Sequence, residues 1–152
     1  MKLSEHFTLQ EATFSRTAQR LGLKNDPAPH ELETMMKAAI GMERVRALLG
    51  NKGVVINSWL RGHALNLAVG GSESSQHRKG EAIDFTCPAF GSPRKICNLI
   101  AEHADLIRFD QLILEPTWVH ISFAIVSRPQ PRKQVLTITP DGKVHKGLVH
   151  YK

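Results

Sequence analysis

Between Glu31 and Leu49 the apolar residues Leu32, Met35, Met36, Ala39, Ile40, Leu48 and Leu49 recur at spacings of three and four or their sums, with Pro29 ahead and Gly50 behind. That period predicts a helix whose Met and Leu stripe faces a core. Thr8 with Glu11 three residues on is a capping box and predicts a short helix at the start, and Asn25 to Pro29 reads as a loop. Val54-Val55-Ile56 is β-branched and short, which predicts a buried strand leading straight into Asn57-Ser58-Trp59-Leu60-Arg61. Further strands are expected from Ala82 to Phe85, Gln111 to Leu114 and Trp118 to Ile125, the last two separated by Glu115-Pro116-Thr117. Ser92 and Pro93 open a helix that carries Ile96, Leu99, Ile100 and Ala104. Val135 to Thr139, the Pro140-Asp141-Gly142 turn and Val144 to Tyr151 give a C-terminal hairpin at about 133–151. Helices come first and strands mostly later. The order predicts an α+β domain with an antiparallel sheet, packed with helices from the N-terminal half and one helix near 93–104.

Alternation along the strands separates two kinds of face. Ala82 and Asp84 lie opposite Ile83 and Phe85, while Trp118, His120 and Ser122 lie opposite Val119, Ile121 and Phe123. An Asp is disfavoured in a strand and costly to bury alone, so Asp84 calls for a metal or a cation as its partner. Taken singly, His77 in its Ser/Gly loop reads as a solvated surface residue and His120 as a hydrogen-bonded core residue. Taken with Asp84, they form a dispersed His/Asp/His set of ligands for one zinc ion per chain, and three such ligands leave the fourth position to water, as a hydrolase needs. Gly80 lets the chain turn between His77 and Asp84, and the small Ala82 leaves room above the sheet. His6, His30, His63, His103, His145 and His150 lack comparable surroundings and read mostly as surface residues.

Composition narrows the setting. A chain of 152 residues that is 41% hydrophobic fits one domain with a real core, spanning 1–152. The net charge of +6 favours an anionic partner. Lys and Arg are scattered and no nucleic-acid reader motif accompanies them, so nucleic acid is not expected, although a basic nucleic-acid-binding domain remains a third class to weigh. Met1 to Phe7 contain no apolar leader core, and no stretch approaches the roughly 18 apolar residues of a membrane span. Synthesis in the cytoplasm without membrane insertion is the expectation. Cys87 and Cys97 are too few for a disulfide framework and read as free, partly buried thiols.

The pattern Ser75-x-His77-x-x-Gly80-x-Ala82-x-Asp84, followed by Trp118-x-His120, resembles the zinc D-alanyl-D-alanine carboxypeptidase family of peptidoglycan metallopeptidases, within the wider hedgehog and D-Ala-D-Ala peptidase fold. The similarity runs from Phe7-Thr8-Leu9 through Asn57-Ser58, Arg61, Ala64-Leu65-Asn66 and Val69-Gly70-Gly71-Ser72 to about Phe123, and looks closest to the short, single-domain form of bacteriophage and prophage lysis genes. The resemblance implies zinc ligation by His77, Asp84 and His120, and a substrate-binding role for Arg61, whose guanidinium fork suits a carbonyl or carboxylate. A surface salt bridge is the competing role for Arg61.

In dipeptidase relatives a Glu lies three residues before the last ligand, where this chain has Thr117. Glu115 is the nearest carboxylate and is read as general base and proton shuttle, with a capping or surface role as its competitor and Asp110 as a weaker substitute. Ser75 and Gln76 are candidates to orient His77 or hold substrate backbone, and Trp118 to line the substrate site. Ser58-Trp59-Leu60-Arg61 stands where the family usually resembles Ser-Gly-Tyr-Arg, and His63 follows where proline is common, so local substrate contacts are expected to differ. The implied function is zinc-dependent hydrolysis of the peptide part of peptidoglycan, at terminal D-Ala-D-Ala or at an internal bond, by a monomeric phage or prophage lysin that acts on the wall after release. The alternative is a non-catalytic, zinc-containing cell-wall-binding module of the same fold.

Overall fold

The computed structural model describes residues 1–151. Three helices open the chain: α1 (Leu9–Thr13), α2 (Arg16–Leu21) and the long α3 (Pro29–Leu48). The Thr8/Glu11 box is present at α1, where the Thr8 hydroxyl accepts from the Glu11 N–H and the Glu11 carboxylate accepts from the Thr8 N–H. Then come β1 (Val55–Ser58), α4 (His63–Ala68), a 3-10 turn at Gln76–Lys79, β2 (Ala82–Thr86), α5 (Pro93–Glu102) with Ser92 as its cap, and α6 (Ala104–Ile107). Four strands complete the chain: β3 (Gln111–Leu114), β4 (Val119–Ser122), β5 (Gln134–Ile138) and β6 (Val144–Lys146). Among the described residues no helix is long and apolar enough to cross a membrane.

The strands form one six-stranded sheet in the order β1-β2-β4-β3-β5-β6, so the α+β expectation holds. Every pair is antiparallel except β3 with β5. That pair is the one parallel exception within the antiparallel sheet expected from the sequence. After β4 the chain crosses β3 to reach its free edge, and a crossing of that kind brings the next strand in parallel.

Three other expectations change for reasons of packing. The buried stripe of α3 runs through Met35, Ala38, Ala39, Met42 and Val45 and continues to Leu49 just past its end, whereas Met36 is 42% and Ile40 57% exposed. The core face is thus rotated from the one first read, and Ala38 and Met42 carry it. β1 is an edge strand rather than a buried one, and Val55 is 50% exposed because it points to the outer face of the sheet, as the alternating burial along β1 shows. β4 stops at Ser122: the Phe123 N–H still bonds in register to the Glu81 carbonyl at 3.0 Å, but the N–H groups of Ile125, Val126 and Ser127 turn to the Glu81 carboxylate. Both cysteines are fully buried, and burial pushes the Cys97 thiol up to about 12.

Two glycines let α3 come close to the sheet. A Cβ on Gly41 would lie 2.5 Å from Phe123 Cε1, and one on Gly80 would lie 2.6 Å from Met35 Cγ. Gly80 also has φ +80°, in the left-handed region. Gly80→Ala is therefore expected to lower stability by about 2–4 kcal/mol, the sum of overpacking and left-handed strain. Gly22→Ala is the control, because Gly22 has φ +65° with nothing within 4 Å of the added Cβ. Urea unfolding should show a clearly larger loss for Gly80→Ala; equal losses would refute the packing argument.

Candidate metal centre

β2 and β4 pair so that Asp84 stands opposite His120, while Ile83 and Phe85 on one strand and Val119 and Ile121 on the other are buried in the core. Alternation therefore leaves the two polar side chains on the outer face. His120 Nδ1 lies 2.9 Å from Asp84 Oδ1. His77 arrives from the 3-10 turn, which Ser75 caps by accepting the His77 N–H at 3.2 Å and which Gly80 ends. Its side chain is 2% exposed, so the surface-residue reading of His77 alone is overturned.

Trp59 sets the orientation of that ring. His77 Nδ1 is 2.8 Å from the Trp59 carbonyl, which can only accept, so Nδ1 carries the proton and Nε2 keeps its lone pair. Nε2 lies 3.3 Å from Asp84 Oδ2. Trp59 is itself fixed, donating from Nε1 to the Gly80 carbonyl at 2.9 Å and meeting Phe7 edge-on.

Ligand atoms of His77, Asp84 and His120 all lie within 4.8 Å of one another. Two imidazoles and one carboxylate make a nitrogen and oxygen donor set that zinc accepts. Burial lowers the His77 pKa despite the opposing pull of Asp84. Burial alone would raise Asp84, but its contacts with His120, first, and with His77 outweigh that and hold the carboxyl below its usual range. A neutral His77 and an ionised Asp84 are the protonation states a metal needs.

A cleft of ≈ 610 Å³ surrounds this group and is lined by Arg61, Ser75, Gln76, Gln111, Glu115 and Trp118 among others. The structure thus brings together every site residue expected from the sequence. Arg61 is half-buried, donates its N–H to the His77 carbonyl at 3.0 Å, and has an Nε without a hydrogen-bond partner among the described residues. Gly71 makes room for it, since a Cβ there would lie 3.1 Å from Arg61 Nη1 and 2.1 Å from Asn66 Oδ1. Asn66 in turn holds the Ser72 carbonyl at 2.9 Å, which explains the polar loop before His77. Glu115 has its pKa raised, by burial first and then by Asp84, with His120 opposing. Asp110 is 0% exposed and salt-bridged to Arg132 and Arg128, which leaves no free carboxylate to serve as a base.

A second arm of ≈ 550 Å³ meets the first at Arg61 and Asp84 and is lined by Phe14, Val55, Leu60 and Val69. The exposed Val55 of the edge strand is part of this wall. Ala82, expected to open space above the sheet, is fully buried, so the open space lies toward Ile113 and Glu115 instead.

The sequence reading missed Glu81. Its carboxylate is fully buried and accepts from the N–H groups of Ile125, Val126 and Ser127 at 2.9, 2.7 and 3.1 Å, and from the Ser127 hydroxyl. Its only local signal is an acidic residue directly before an apolar strand.

Burial alone would raise Glu81 and Asp110, yet hydrogen bonds from Ser127 and the loop N–H groups, and from Arg132, hold both below their usual values. A lowered folded pKa contributes stability above the unfolded value of about 4 and loses it as pH falls through the folded value. The melting temperature should therefore fall steeply below about pH 4, and Glu81→Gln should lower the neutral-pH plateau and flatten that acid limb. An unchanged limb in Glu81→Gln would refute the clamp.

A family model described as Peptidase M15 matches residues 5–122, the span that holds Arg61, His77, Asp84, Glu115 and His120. No curated protein matches the chain. With the match covering most of its length and a His/Asp/His group fit for zinc at its centre, the chain belongs to the peptidase M15 family of zinc-dependent peptidases.

Proposed function

We propose that this protein hydrolyses the peptide part of bacterial peptidoglycan, as a D-Ala-D-Ala carboxypeptidase or as an endopeptidase cutting between L and D residues, in the setting of phage or prophage lysis. One observation carries the reading. A zinc-competent His/Asp/His group, a partly buried carboxylate of raised pKa and a half-buried arginine converge in a single cleft. A binding module would need no such carboxylate.

His77, Asp84 and His120 would hold the zinc. When bound there, zinc supplies a Lewis acid that acidifies water and polarises a peptide carbonyl. Glu115 takes the proton from the attacking water and returns it to the leaving amine. Its raised pKa brings it nearer to working pH, where a base that must also act as an acid is most effective. Arg61, fixed through its backbone on the His77 carbonyl, donates its guanidinium to the substrate carbonyl or carboxylate and to the charge that develops there. The two arms that meet at Arg61 and Asp84 give an extended peptide room on both sides of the metal group, with apolar surface from Phe14, Val55, Leu60 and Val69 along one of them. The net charge of +6 favours association with anionic wall polymers.

Mass spectrometry of fragments released from purified peptidoglycan tests this reading and identifies the bond cleaved. Chelation should abolish release, and zinc should restore it. His120→Ala should lose zinc. Glu115→Gln should keep one zinc per chain while kcat falls by roughly 10²–10⁴. Full zinc occupancy with intact peptidoglycan would turn the assignment to the non-catalytic module, and an undiminished Glu115→Gln would move the base elsewhere.

A further inference from the structure

The cleft continues past Gln111 to two arginines, Arg128 and Arg132, that the reaction above does not use. Both lie between β4 and β5, beyond the residues 5–122 matched by the family model. Asp110 gathers them. Its buried carboxylate accepts from Arg132 N at 2.9 Å, Nε at 3.0 Å and Nη2 at 2.8 Å, and lies 3.5 Å from Arg128 Nε. One carboxylate balances one guanidinium, so this end of the cleft keeps a net positive charge.

The two arginines differ in how well they are satisfied. Arg132 is held by two parallel bonds, whereas Arg128 Nε is buried without a hydrogen-bond partner among the described residues. Its Nε is spent on the long contact with Asp110, while the side chain is 39% exposed and its terminal nitrogens donate to none of the described residues, which leaves them open to an acceptor in the cleft. Arg128 is also well placed by its backbone, since Glu81 clamps Ile125, Val126 and Ser127 immediately before it. Less loop freedom is then left to lose on binding.

The sheet sets the distance to the reacting centre. Ile113 stands opposite His120 and Gln111 opposite Ser122, and both Ile113 and Gln111 line the cleft. Along β3, Gln111 lies roughly 7 Å from Ile113, the length of about two residues of extended peptide, and Asp110, which gathers the arginines, directly precedes Gln111. We propose that Arg128, positioned by Asp110 and Arg132, forms a subsite for a carboxylate of the substrate peptide about two residues from the scissile bond. The subsite rests on the peptidase reading for the identity of its ligand.

The probes are a peptidoglycan stem pentapeptide with its internal carboxylates free and the same peptide with those carboxylates amidated. Calorimetry on the zinc-loaded protein should show the free form binding about tenfold to a hundredfold more tightly. Arg128→Ala should erase that preference, raising KM for the free form and leaving the amidated form unchanged, and Arg128→Lys should restore part of it. The wild-type comparison needs no variant to fold, and Arg128→Gln gives a second, milder loss of charge. Equal binding of the two peptides, binding of neither, or an Arg128→Ala loss shared by both overturns the subsite. Selective binding without hydrolysis upholds the subsite and removes the peptidase reading, and hydrolysis without preference does the reverse.

Discussion

The register between β2 and β4 is the constraint on which the site depends. With Asp84 opposite His120, two polar side chains share the outer face at cross-strand distance. A slip of one residue would turn either of them into the core and bring Ile83 or Ile121 out. The register is held by what lies beneath it: Ile83, Phe85, Val119 and Ile121 are all buried, and the hydrophobic effect acts on them regardless of any metal. The chemistry of the outer face is thus fixed by the packing of the inner one.

His77 is outside the sheet and needs a different device. Residues 59–61 and 77–80 interlock through three contacts: Trp59 O with His77 Nδ1, Trp59 Nε1 with Gly80 O, and Arg61 N with His77 O. The segment leaving β1 therefore serves as a template for the turn that carries the ligand. This same segment carries Arg61, so the candidate ligand and the candidate substrate arginine are positioned by one set of hydrogen bonds. A bulky Trp suits this use because it buries a large apolar body while its indole N–H still reaches an acceptor.

What was legible in the sequence was local or periodic. The Thr8/Glu11 box, the Ser92-Pro93 start of α5 and the alternation of Asp84 and His120 each follow from residues a few positions apart, and each is present in the structure. The rotated face of α3 was misread because Ala38 weighs little in an apolar pattern, although Ala lets a helix approach a sheet closely. The edge position of β1 and the parallel β3/β5 pair depend on sheet order, which no single strand records. Glu81 and Arg128 were missed, and Asp110 was read only as a substitute base, because their partners lie 18 to 46 residues away, and nothing near Glu81 in the chain announces Ser127.

Those separations bear on how the protein comes to be assembled. Asp84 and His120 are 36 residues apart, and the Glu81 clamp spans up to 46. Closing such loops costs entropy before any contact compensates, so these pairings form late, once the sheet has condensed. The unfolded chain offers a metal no ready cluster of ligands, unlike small zinc modules whose donors are close neighbours. The donors come together only when β2 pairs with β4 and the turn at 76–79 docks on Trp59, so it is the folded chain that presents the ligand set.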